Sequence, residues 1–166
     1  MSELRANKIL PRDGLPTGAY SGGIIQVRHH VKSTTVTTTS DSVVELDSAT
    51  ITPTSASNKI MIDVRLRAHE TTGNARKWFL NVGRSVGGGT PVYPNGQYFC
   101  QNRSQLSMWG GYYPVVWDSP ATTSEVTYHV NIGPWGGPAG TSFSINSMTG
   151  DGEGGGSIIV LYEISA

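Results

Sequence analysis

The 166-residue sequence predicts an all-β domain, an antiparallel sandwich of about eight to ten short strands behind an extended N-terminal arm. Three observations predict it. The chain holds 21 Gly and 9 Pro with abundant Ser and Thr, a mix that disfavours helix and supplies turns. Several segments alternate apolar and polar residues with a period of two. Turn signals recur every 8–15 residues or so, the spacing of short strands in a sandwich or barrel.

Residues 1–22 differ from the rest. Leu4, Ile9 and Leu10 stand among polar residues, and Pro11, Gly14, Pro16, Gly18 and Ser21-Gly22-Gly23 break any regular element. This segment reads as an extended arm or short helix and then a linker, which needs a partner to be ordered. Residues 23–166 then form the domain. Ile24, Ile25, Val27 and Val31 open the first strand, and the β-branched run Thr34 to Thr39 favours a pleated surface. Val43, Val44, Leu46 and Ile51 mark another strand, closed by the turn Thr52 to Ser57.

Lys59 to Arg67 alternates most cleanly, placing Ile60, Ile62, Val64 and Leu66 inward and Lys59, Met61, Asp63, Arg65 and Arg67 outward. Ala75 to Val86 repeats this with Trp78, Leu80, Val82 and Val86 inward, ending at Gly87-Gly88-Gly89. Gly110-Gly111 reads as a turn before a short strand, Tyr113 to Trp117, interrupted by Pro114. Glu125 to Ile132 puts Val126, Tyr128, Val130 and Ile132 inward, and Phe143 and Ile145 share a face. In the last strand, Ser157 to Ile164, both faces are apolar, so both are expected to be covered.

Composition bounds the function. Twelve Lys+Arg balance twelve Asp+Glu, and only 14% of residues are charged. Nucleic acid and anionic membrane both lack their electrostatic attraction here. No apolar stretch has the length of a signal peptide core or a membrane span. The chain is therefore expected to be made in a cytoplasm without membrane insertion. Cys100 is the only cysteine and reads as a small buried hydrophobe.

Chemistry-bearing motifs are sparse. His29 and His30 point to opposite faces of a strand, as do His69 and Glu70, and His129 stands alone. Asp151-Gly152-Glu153 in a glycine run lacks calcium-loop spacing and reads as an acidic hairpin loop. Gly87-Gly88-Gly89 lacks the strand-to-helix setting of a phosphate cradle. No catalytic residue, metal ligand or cofactor is assigned, and the chain is expected not to be an enzyme. Trp109, Tyr112 and Tyr113 around Gly110-Gly111, and Trp135 in a Gly/Pro loop, are the candidate receptor contacts, because aromatic faces at loop tips stack on sugars or fill pockets.

Low charge, hydroxyl-rich strands and the doubly apolar final strand together suggest surface covered by identical neighbours, with Ile159 and Leu161 as the candidate subunit interface.

Five segments carry a family resemblance: Ser2-Glu3-Leu4-Arg5-Ala6-Asn7-Lys8-Ile9, Gly22-Gly23-Ile24-Ile25-Gln26-Val27, Ile51 to Ile62, Asp118 to Thr123 with Val126-Thr127-Tyr128, and Ser157 to Ile164. In order and spacing they resemble bacteriophage tail-fibre and virion surface proteins. The resemblance implies a small jelly-roll head like those of tumour necrosis factor and the complement globular domains, and a homotrimer on a phage particle. Residues 1–22, with Leu4, Arg5, Ile9 and Leu10, would attach it to another virion protein, and its loops would touch host glycan or protein. The alternatives are a capsid decoration protein and a glycan-binding or hydrolytic module.

Overall fold

The computed structural model describes residues 23–70, 78–93, 100–102, 108–134, 142–146 and 156–166. The described residues form eleven strands and no helix. In chain order these are β1 (Ile24–Lys32), β2 (Val36–Thr38), β3 (Val44–Ile51), β4 (Lys59–Glu70), β5 (Trp78–Val86), β6 (Cys100–Asn102), β7 (Met108–Tyr112), β8 (Val115–Asp118), β9 (Val126–Pro134), β10 (Phe143–Ile145) and β11 (Ser157–Ile164). The expected eight to ten strands become eleven because the short β6 is added and Gly110-Gly111 lies in a strand of its own, β7, which Pro114 divides from β8. A proline gives no N–H to a ladder, so it sits where pairing breaks.

Two antiparallel sheets make a sandwich. Sheet one runs β1-β11-β4-β10-β2, with β7 and β8 on the other side of β4. Sheet two runs β3-β9-β5-β6. The pairing is nested: β1 pairs β11, β2 pairs β10, β3 pairs β9, β4 pairs β7 and β8, and β5 pairs β6. First meets last and second meets second-to-last, which is a long hairpin rolled into two layers, the jelly roll.

The core lies between the sheets. Ile60, Ile62, Val64 and Leu66 from β4 and Val126, Tyr128, Val130 and Ile132 from β9 are all fully buried, as their alternation predicts. Trp78, Leu80 and Val82 of β5 join them, and the Trp78 ring packs on Phe143 with centroids 5.6 Å apart. Val86 does not, standing exposed where β5 enters its turn. That turn uses Gly87 and Gly88 at φ 56° and 77°, a region a Cβ disfavours.

Two expectations change. Gly110 and Gly111 are not a turn but lie within β7, paired with Ala68 and Arg67. A Cβ at Gly111 would meet the end of the exposed Tyr113 side chain, which lies over it. Ile159 and Leu161 are not interface residues. They are fully buried in the chain's own core, because the β11–β4 register sets them opposite Val64 and Ile62. The face of β11 left outside is Ile158, Val160 and Tyr162.

Candidate functional site

Three polar networks and one apolar surface distinguish the described residues. The first network centres on Glu163, fully buried on β11. Its carboxylate accepts hydrogen bonds from Gln26 Nε2 (2.6 Å), Asn58 Nδ2 (2.6 Å), the Thr54 amide (2.7 Å) and Thr54 Oγ1 (2.8 Å). Burial alone would raise its pKa, but bonds from Asn58, Gln26 and Thr54 outweigh that and hold it at about 2. The group ties the β3–β4 loop to β11 and β1.

The second network bridges the sheets. Arg84 Nη1 donates to both Asp118 oxygens at 2.9 Å, and Tyr128 Oη donates to Asp118 Oδ2 at 2.8 Å. Burial, then the Asp118 charge, pushes the Tyr128 hydroxyl well above its ordinary pKa, so it stays a donor.

The third lies on the outer face of sheet two. His129 is not alone: Ser85 Oγ is 2.8 Å from its Nε2, and Glu45 Oε2 is 2.8 Å from its Nδ1. Sequence separations of 44 and 84 residues hide this contact, which the β3-β9-β5 order creates. The sequence Ser–His–Glu is that of a hydrolase relay. However, Ser85 is only 4% exposed. Its amide is also taken: Arg84 bonds Val92 on one side and Gly87 bonds Glu125 on the other, so ladder alternation turns the Ser85 N–H to β9. A strand amide so used cannot serve an oxyanion.

The apolar surface is the outer face of sheet one. Register sets three rows across it: Val27–Tyr162–Met61–Trp117, His29–Val160–Asp63–Val115, and Val31–Ile158–Arg65. Val27, Val31, Val115 and Trp117 are each about half exposed, and Tyr113 at the end of β7 is 67% exposed. Among the described residues the face carries one ion pair, Arg65 Nη2 to Asp63 Oδ2 at 2.7 Å. The hydrogen bond and charge of Asp63 hold the Arg65 pKa above its ordinary value. Four strands about 4.8 Å apart and five residues at about 3.4 Å span roughly 330 Å², a face that His29, Asp63 and Arg65 share with the apolar side chains. The largest apolar patch on a monomer is of this order and is often functional.

Among the predicted receptor contacts, Tyr113 lies at the edge of this face. The side chains of Trp109 and Tyr112, the loop residue Trp135, and the arm residues Leu4, Arg5, Ile9 and Leu10 lie outside what is described. The Asp151-Gly152-Glu153 loop does too. No group of three or more metal-binding side chains occurs among the described residues. No helix among them is long and apolar enough to cross a membrane.

No family model matches the chain. No curated protein matches it either. Solved structures do. A structure of infectious bursal disease virus, Gx strain, matches at 14% identity and TM-score 0.46, over 98% of this chain and 42% of that one. The Gt strain gives 14% and 0.42 over 98% and 43%. The VP2 subviral particle of the same virus gives 16% and 0.36 over 85% and 37%. The chain thus spans about two fifths of the length of the viral chains it matches.

Proposed function

We propose that this chain is a structural protein of a bacteriophage particle, a homotrimeric jelly-roll head carried by residues 1–22 and turned toward the host surface. The observation that carries the assembly is the apolar outer face of sheet one. Its one ion pair is internally neutralised, so identical copies can meet there without repulsion. Exposed valines and Trp117 lie in register across β1, β11, β4 and β8, and leaving them in water is unfavourable by about 25 cal/mol per Å². The phage setting rests on the sequence resemblance and on the arm–linker–domain order. In this reading the protein binds rather than catalyses, needs no cofactor, and gains host affinity from three weak sites on one rigid head.

Removing residues 1–22 tests the tether. The truncated protein is expected to fold and oligomerise yet fail to join particles. Normal incorporation would refute the tether.

The Ser85–His129–Glu45 chain favours hydrolysis as a second reading. A fluorophosphonate probe separates the two. Stoichiometric labelling at Ser85 would establish a nucleophile, whereas unlabelled protein fits the buried serine and its committed amide.

A further inference from the structure

The sandwich has an open side where β1, the edge of sheet one, faces β3, the edge of sheet two. Gln26, Arg28, His30 and Lys32 lie on the inward side of β1, opposite Glu163, Leu161, Ile159 and Ser157. Three of the four are tied down. Gln26 Nε2 donates to Thr52 O (2.7 Å) and Glu163 at one end. His30 and Lys32 meet Asp47 Oδ1 at 3.1 and 3.6 Å at the other. Between these ties the edges enclose a groove of about 390 Å³, lined by Arg28, His30, Ser48, Thr50, Thr52 and Glu125 among others. That volume is in the range of small-molecule sites. Among the described residues Arg28 makes no hydrogen bond or ion pair, and neither does the Glu125 carboxylate.

We propose that this groove binds a sugar acid, a saccharide with one carboxylate flanked by hydroxyls. A guanidinium fork matches a carboxylate in two parallel hydrogen bonds. The Glu125 carboxylate accepts from sugar hydroxyls and repels a doubly charged phosphate. Ser48 and Thr50 line the groove from the β3 rim, where alternation with the inward Asp47, Ala49 and Ile51 sets their hydroxyls toward the outer side of the edge. The β3 backbone adds the unpaired groups of an edge strand. The groove is complete within one chain, so this inference stands apart from trimer formation and from catalysis.

The test is ligand-observed NMR on the full chain with glucuronic acid, against glucose, acetate and inorganic phosphate. The expected result is saturable binding of glucuronate, with each of the other three weaker by about tenfold or more. Arg28→Gln is expected to weaken glucuronate binding by at least about tenfold with the circular dichroism spectrum unchanged. Should that variant lose its native spectrum, Thr50→Val reads the same groove and is expected to weaken binding several-fold. Acetate or phosphate binding as well as glucuronate would make this a simple anion site and overturn the proposal. So would absence of saturation, or glucuronate binding unchanged in the folded variants.

Discussion

Glu163 is fully buried, and its carboxylate accepts four hydrogen bonds and meets no cation among the described residues. Its pKa falls from the ordinary 4.5 to about 2 on folding. Between those values the unfolded chain binds more protons than the folded one, so stability rises with pH across that window. The contribution is complete above it and lost as pH falls toward 2. Glu163→Gln is expected to lower stability by about 2–3 kcal/mol, because the new amide turns a donor toward donors. Urea unfolding at pH 3 and pH 7 checks both: the variant should lose most of the wild type's difference. Tyr128→Phe is expected to cost about 1–2 kcal/mol by the same measurement at pH 7, since Asp118 keeps Arg84. Neither residue was legible as a hub in the sequence. Glu163 reads as one polar position in an apolar strand, and its partners are 105 to 137 residues away. His129 reads as isolated for the same reason, its neighbours arriving from β3 and β5.

At the scale of the strand, alternation identified β4, β5 and β9 and their inward faces, because one face of each is polar enough to define the other. It failed at β11. Both faces there are apolar, so the period of two leaves open which one meets the core. The β4 register decides it, placing Ile159 and Leu161 inside. Charge substitutions on neighbouring residues therefore separate two effects. Ile159→Glu is expected to unfold the domain, burying an unpaired carboxylate at a cost of several kcal/mol. Val160→Glu is expected to leave the thermal transition of the protomer in place while dissolving the oligomer. Sedimentation and circular dichroism on both variants check the pair. At β7 the glycine pair read as a turn, since nothing in the chain signals that the Tyr113 ring fills the space above Gly111. Gly111→Ala is expected to displace that exposed ring with the thermal transition changed little, which circular dichroism checks.

For the whole molecule, the low charge and Thr-rich strands pointed to an oligomer before any face could be named. The nested pairing supplies the face. Rolling the hairpin brings the first and last strands together in sheet one and sets β8 across β4 from them. Val27, Tyr162, Met61 and Trp117, spread over 136 positions of sequence, thereby align in one row. Long-range pairing of this kind leaves no local trace, which is why the sequence did not show that Ile159 and Leu161 lie in the core and the Ile158, Val160 and Tyr162 side lies outside. The most direct measurement is light scattering behind a sizing column, on the wild-type protein and on Trp117→Glu. The account predicts a wild-type mass about three times 17.7 kDa, and a folded 17.7 kDa protomer for the variant. A wild-type protein that elutes as a 17.7 kDa monomer, or a variant that remains a trimer, would contradict it.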